Sequence, residues 1–332
     1  MKTLIFGTLN VNGLKKIRHN DSPPTLDLRA VLTDIEKQQM DVLAIQETHL
    51  GEVEYLQKEK GFLGYFCNSE NNKHHGTGIL IRENLDPVFK RISPRVCTAS
   101  FTTNKNTHIL FICGYAPHES LSEKYPEMRD TFYDDLQKAL QQKKSDSIAI
   151  IALDANAQTS YSAELPKVIG HFTKGNKINN NGHFLINFAA ENNLFLTNTL
   201  FQHKMSRRST WTAPYRPLKI NGVTRRNPIR NQIDYIMISK KHLEHVTNSR
   251  SHNHIETTTD HNLVVMTTKI DLPKLNRPRA SRTPKIDLEK LQNPEIAAAY
   301  RQKVNENLKP CKEDADNNTR WTNIVEVCLK SG

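Results

Sequence analysis

What this sequence lacks narrows it quickly. No stretch approaches the ~18 apolar residues that a membrane-spanning helix needs, and the one apolar stretch near the N-terminus, Leu4 to Phe6, is too short for the core of a secretory signal. The five cysteines, Cys67, Cys97, Cys113, Cys311 and Cys328, are odd in number and widely spaced, and no Cys-x-x-Cys pair suggests zinc or a redox couple. A soluble, reduced, intracellular protein with no membrane partner is expected. No internal repeat is visible. Acidic residues are missing altogether from Asn192 to Ile233.

At 332 residues the chain can hold one large α/β domain or two small ones, and it can bury a core without disulfides or a structural metal. The 46 Lys and Arg against 35 Asp and Glu, with a pI near 9.3, favour a polyanionic partner, although many ordinary enzymes are equally basic.

Short runs rich in Ile, Leu and Val read as largely buried strands: Thr3–Phe6, Val42–Ile45, Gly78–Ile81, Ile109–Cys113, Ile148–Leu153, Leu194–Thr197, Ile233–Ile238 and Leu263–Thr267. Between them Leu28, Val31, Leu32 and Ile35 recur at helical spacing, as do Phe132, Leu136 and Leu140. Leu185, Phe188 and Ala189 do so after a cap expected at Asn181. The alternation predicts sheets covered by helices. Lys274 to Lys285 then carries five basic residues, two prolines and no acid, an extended linker. Asn293-Pro294 reads as an N-cap with Pro at the first helical position, ahead of Ile296, Tyr300 and Val304 on one face. The expected organisation is a catalytic domain over 1–270, a linker over 271–286 and a helical tail over 287–332.

Several strands end in polar residues, at the carboxyl ends where α/β sheets place their sites. Asn10-Val11-Asn12-Gly13 follows the first strand and Gln46-Glu47-Thr48 the second. Gly114-Tyr115-Ala116-Pro117 and Asp154-Ala155-Asn156 follow the next two that matter. Each alone reads equally well as a polar turn or a solvated loop. Glu47 suits a hard divalent cation, which takes carboxylate oxygens. Asp154 and Asn156 share a side if extended geometry persists between them. Gln232-Ile233-Asp234-Tyr235 places an acid in an apolar stretch, which costs free energy unless Asp234 is paired. The obvious partner is His261 in Thr259-Asp260-His261-Asn262, whose tautomer a buried carboxylate would fix.

Taken together and in this order, Asn10, Glu47, Tyr115, Asp154, Asn156, Asp234, Asp260 and His261 resemble the signature of the endonuclease/exonuclease/phosphatase superfamily. The resemblance spans residues 3–267. It implies a four-layer sandwich, two packed mixed β-sheets flanked by helices in the manner of DNase I, with the site at one end of the sheets. By the same resemblance Glu47 binds Mg²⁺, or Mn²⁺ in its place, with Asn10 and Asp260 close to it. Asp234 orients His261, Asp154 handles a proton, and Asn156 and Tyr115 hold the scissile phosphate, for in-line attack by water. Asn12 and Asn231 stand where the family's repair enzymes carry an acid and an aromatic residue, which speaks against abasic-site recognition.

The superfamily also includes phosphatases of small molecules, and flanking charge separates the branches. The acid-free run holds Lys204, Arg207, Arg208, Arg216, Lys219, Arg225, Arg226 and Arg230 beside Asp234. Arg207, Arg208, Arg225, Arg226 and Arg230 are the expected contacts to duplex DNA. Trp211, within this run, is expected in the core rather than against the DNA. Ser209-Thr210-Trp211, Arg230-Asn231-Gln232-Ile233-Asp234-Tyr235, Gln46-Glu47-Thr48-His49, Asn181-Gly182 and Asn198-Thr199 resemble the endonuclease of LINE-type retrotransposons, in particular the RTE group and host proteins derived from it. That resemblance implies DNA nicking for target-primed retrotransposition, action in the nucleus, and a tail that leads toward a possible reverse transcriptase. A domesticated, non-catalytic binding module is the alternative.

Overall fold

Strands that are apolar at every position have no face to give to water, and here each sheet is covered on both sides. The computed structural model describes residues 3–14, 16–19, 22–50, 54–69, 75–103, 106–213, 218–220, 223–225, 229–271 and 294–307. One sheet has seven strands: Thr3–Asn10 (β1), Val42–Gln46 (β2), Glu54–Glu59 (β3), Phe62–Cys67 (β4), Thr77–Arg82 (β5), Val246–His252 (β12) and Leu263–Asp271 (β13). The other has six: Val88–Ser93 (β6), Val96–Thr102 (β7), His108–Tyr115 (β8), Ile148–Asp154 (β9), Leu194–Leu196 (β10) and Asp234–Ser239 (β11). Their orders are β12-β13-β1-β2-β5-β4-β3 and β10-β11-β9-β8-β7-β6. Each contains one parallel pair, β1 with β2 and β8 with β9, and the rest run antiparallel.

Alternation along the strands builds three apolar layers. Phe6, Val42, Ala44 and Ile79 of the first sheet meet Phe111, Ile148, Ile150 and Ile236 of the second, with Phe6 and Phe111 stacked at 5.8 Å. The intervening residues face outward to helices. Leu43, Ile45 and Leu9 pack on Val31, Leu32 and Ile35 of Arg29–Lys37 (α1). A short helix, Glu119–Lys124 (α2), precedes Pro126–Leu140 (α3), and Asn180–Glu191 (α4) follows β9. Ile151, Leu153 and Met237 pack on Phe132 and Leu136 of α3 and on Leu185 and Phe188 of α4. The four-layer sandwich of two mixed sheets is therefore present.

Three local expectations change. The N-cap of α4 is Asn179, whose side-chain oxygen accepts from Gly182 N at 2.8 Å. Asn181 is instead buried inside the first turn and donates to the carbonyls of Pro117 and Asn156. Five strands, β3, β4, β6, β7 and β12, do not stand out by composition. β3 alternates exposed and half-buried residues and β12 carries Thr247, Asn248 and Arg250, because edge strands show water a polar face. Extended geometry also fails to persist from Asp154 to Asn156, which turns to φ +47°.

Residues 1–273 form one compact unit and 274–332 a second. Of the second, only helix Pro294–Asn307 (α5) is described, and the expected linker beyond Asp271 lies outside the described residues. Among the described residues no helix is long and apolar enough to cross a membrane.

Candidate active site

Parallel pairing brings strand ends together, and this is what gathers the polar residues. Asn10 ends β1 opposite Gln46 at the end of β2, and Tyr115 ends β8 opposite Asp154 at the end of β9. Asp154 in turn faces Asp234, the first residue of β11. His261 precedes β13, where it bridges to Trp211.

One amide links the two sheets. Asn10 Nδ2 donates to Glu47 Oε1 at 2.7 Å and to Asp154 Oδ2 at 2.9 Å, while its Oδ1 accepts from Asn12 N at 3.0 Å. Tyr115 OH also donates to Glu47 Oε1, at 2.8 Å, and His49 Nε2 stands 3.2 Å from Glu47 Oε2. The backbone is bent to present these groups. Asn12, Glu47, His49 and Asn156 all sit in the left-handed region, at φ 49°, 53°, 55° and 47°. Non-glycine residues there cost on the order of 1–3 kcal/mol each, a strain that concentrates where function constrains the chain. Gly76 braces the same loop from behind: its φ is +122°, and a Cβ would stand 2.1 Å from Thr48 Oγ1.

The second half of the site is a buried ion pair. His261 Nδ1 lies 3.1 Å from both oxygens of Asp234, and its Nε2 points towards Asp154 Oδ2 at 4.0 Å. The backbone at Asp234 is fixed in turn by neutral side chains. Thr210 Oγ1 accepts from Ile233 N and Asp234 N, and Asn198 Nδ2 donates to Asp234 O. Burial opposes protonation of His261, but the charge and hydrogen bond of Asp234, followed by Asp154 and Asp260, outweigh it and raise the pKa to about 10. Burial, then the Asp234 charge, pushes Asp154 up to about 7 against the imidazolium and the Asn10 amide. The site thus pairs a fixed imidazolium with a carboxylic acid that can exchange a proton near neutrality.

Asp154, Asp234 and His261 form the tightest acid–imidazole cluster among the described residues, their ligand atoms within 4.8 Å of one another. The trio is buried and could hold a metal ion, although Asp234 is already engaged by His261 Nδ1. Glu47 is the better donor: its side chain keeps 22% exposure and lies beside a local excess of carboxylate from Asp154. An acid-rich edge of this kind fits a hard divalent cation. The two other residues expected at the metal each make a hydrogen bond here. Asn10 turns its N–H, not its oxygen, to the carboxylates. Asp260 Oδ2 accepts from Trp211 Nε1 at 2.8 Å.

Trp211 is accordingly half-buried at the rim instead of in the core, because its indole N–H needs that partner. Asn156 Nδ2 donates to Ala116 O at 3.1 Å, on the loop that follows Tyr115. Among the basic residues, Arg207 is exposed. Arg208 ties its guanidinium to His203 O and Thr173 O and stacks over Phe172. Arg230 lines a polar cavity of about 430 Å³ with Lys174, Lys177 and Gln232, beside the loop after Asp154. Arg225 is described in its backbone alone, and Arg226 lies outside the described residues.

Sequence reasoning missed Arg95. Its guanidinium covers the Tyr115 ring at 5.0 Å, donates to Tyr115 O at 3.0 Å and meets His75 Nε2 at 2.8 Å. Nothing local marks it, since it sits in a turn between β6 and β7. Thr259 Oγ1, two residues before His261, donates to Asn10 O and accepts from His261 N, a role that nothing in its own sequence context marks.

Comparison with known proteins places this fold in a family. The chain shares 27% identity over 287 residues with craniofacial development protein 2 of Bos taurus, covering 82% of this chain but 43% of that protein, so it spans less than half the relative's length. In fold it is similar to the endonuclease domain of TRAS1, a telomere-specific non-LTR retrotransposon (TM-score 0.51, 11% identity, 81% of this chain and 99% of that one). It is also similar to the AP endonuclease LMAP of Leishmania major (TM-score 0.55, 15% identity, 81% and 88%). The model of the endonuclease/exonuclease/phosphatase family matches residues 7–261, from the first strand to the imidazole of the site, and the chain belongs to that family.

Proposed function

We propose that this chain is a Mg²⁺-dependent endonuclease that nicks duplex DNA, with Mn²⁺ able to substitute, and that it serves target-primed retrotransposition of a LINE-like element. The observation that carries the reading is the pairing of an accessible Glu47, bridged through Asn10 to Asp154, with the buried Asp234–His261 ion pair. This arrangement suits hydrolysis of a phosphodiester. Glu47 would hold the cation, which supplies Lewis-acid charge to the phosphoryl oxygens. His261, oriented by Asp234 through Nδ1, offers Nε2–H to a phosphoryl oxygen as charge builds there. Tyr115 OH and the Asn156 amide position the phosphate. Asp154, ionised, takes the proton of the attacking water as the new P–O bond forms and the ester P–O bond breaks. The departing oxygen takes a proton from water, and Asp154 returns its own proton to solvent, which closes the cycle.

The DNA substrate is supported by the acid-free basic segment and by the cavity with Lys174, Lys177 and Arg230, which no small phosphate monoester would need. Action in the nucleus and a reverse transcriptase further along a longer polypeptide belong to the same reading. The name of the bovine relative, a developmental protein, supports a second reading as a domesticated host protein. Supercoiled plasmid incubated with Mg²⁺, Mn²⁺, Zn²⁺ or EDTA tests both. Open circles that need Mg²⁺ or Mn²⁺, and that Glu47→Gln forms only at much higher Mg²⁺, are expected. DNA binding without nicking would favour the host module, and zinc-specific activity surviving EDTA would overturn the metal assignment.

A further inference from the structure

The edge strand β12 presents Asn248, Arg250 and His252 on its outer face, while Ser249 and Ser251 point into the core. The turn Met205–Arg207 packs over that face, and His203 Nε2 meets Asn248 Oδ1 at 2.8 Å. Four cationic or basic groups are thereby brought together: Arg207 and His203 from the turn, Arg250 and His252 from the strand. Among the described residues neither Arg207 nor Arg250 has a carboxylate partner in an ion pair. Like charges gathered without a counter-charge raise the energy of the fold, and an anion between them relieves it.

The electrostatics carry the mark of that crowding. Burial and then Arg207 lower the pKa of Arg250. His252 is pushed down to about 4, first by burial and then by Arg250, Arg207 and His203. No acid enters on the other side of either balance. The cluster also lies on the His261 side of the site. His252 faces Leu263 in register, two residues after His261, and Asn262 joins Ser209 and Thr210 through its side chain and backbone N–H.

We propose that Arg207, Arg250 and His252, with His203 braced on Asn248 beside them, form a phosphate-binding cradle that grips a backbone phosphate of the DNA duplex away from the scissile bond. The inference rests on the DNA-endonuclease reading and sharpens it, because it says where the duplex leaves the site. Arg207 supplies the exposed charge, and the half-buried Arg250 and His252 supply donors on a rigid strand. Arg208, whose guanidinium is tied within the fold, only supports the turn.

The test has two arms on the full chain. In EDTA, a labelled duplex is titrated at several salt concentrations with wild type, Arg207→Gln, Arg250→Gln and the double variant. Each lost phosphate contact should flatten the salt slope by about one, and the double variant by about two. Melting temperatures at or above that of wild type show that the variants fold. The second arm follows the ring signals of His203 and His252 by NMR in inorganic phosphate, against chloride of equal ionic strength. A phosphate-specific shift that disappears in the double variant is expected. An unchanged salt slope in the double variant overturns the cradle. If wild type neither binds nor nicks DNA, the endonuclease reading fails, and the phosphate titration alone decides the cradle, an absent shift overturning it.

Discussion

Replacing Asp234 with Asn keeps the shape of the site and removes one charge. Asp234 is fully buried, and both of its oxygens lie 3.1 Å from His261 Nδ1. Breaking a buried pair from one side costs about 3–5 kcal/mol, because the remaining partner stays desolvated. Here His261 can escape part of that cost by losing its proton, since burial already works against the charged form. The lower end, about 3 kcal/mol, is therefore expected for Asp234→Asn. The same loss leaves the imidazole without an orienting carboxylate, which in hydrolases of comparable logic lowers turnover by about four orders of magnitude. A pH signature should accompany it. The folded-state pKa of His261, about 10, lies above its ordinary value of 6.5. The pair's stabilisation is therefore fully present below about pH 6.5 and is lost as pH rises through about 10. Thermal melts of wild type from pH 6 to 10, beside Asp234→Asn, His261→Ala and the double variant, measure the effect, with plasmid nicking as the activity readout. The double variant should be little worse than the worse single one. Strictly additive losses of activity, or an alkaline fall in Tm that survives in Asp234→Asn, would refute the coupling.

The acid limb of the nicking rate should lie at or below about pH 7, where Asp154 gains its proton, because a bound cation can only favour the ionised form; a limb well above 7 in a pH–rate profile would exclude Asp154 as the proton acceptor. Glu47→Gln should raise the Mg²⁺ concentration needed for half-maximal nicking at least tenfold while leaving Tm nearly unchanged, since this carboxylate is partly exposed and its neighbours can donate to an amide oxygen; equal Mg²⁺ requirements would remove Glu47 from the metal. Trp211→Phe deletes the hydrogen bond to Asp260 and should cost about 1.5–3 kcal/mol, the scale for a bond to a charged group. A denaturant melt checks it, and a loss as large as that of Trp211→Ala would instead point to packing of the ring. Arg95→Gln should lower kcat and leave DNA affinity intact, because Arg95 acts through Tyr115 and does not face the exposed basic segment; a weakened Kd with unchanged kcat would contradict that role.

Much of this protein was legible in its sequence. The fully apolar runs Val42–Ile45 and Ile148–Leu153 announced strands covered on both faces, and a chain that must bury two faces of two sheets needs helices outside them. The polar residues at the strand ends, in their order, pointed to the family, and the fold brings Asn10, Glu47, Tyr115 and Asp154 to one edge of the two sheets. An acid inside the apolar stretch at Asp234 demanded a partner, and His261 is that partner. Local pattern could not reach what pairing across long separations decides. The edge strands β3 and β12 are polar on one face and became strands only by docking on β4 and β13. The Asn10 amide bridges Glu47 and Asp154, 144 residues away in the second case, and only the stacking of the two sheets sets which of its atoms faces them. Trp211 had the composition of a core residue, and the position of Asp260 on a different loop drew it to the rim. Arg95 left no trace in the sequence because a lone arginine in a turn has no periodicity. Its role under Tyr115 exists because β7 and β8 are neighbours in the sheet, so tertiary pairing alone placed a cation beneath the phenol.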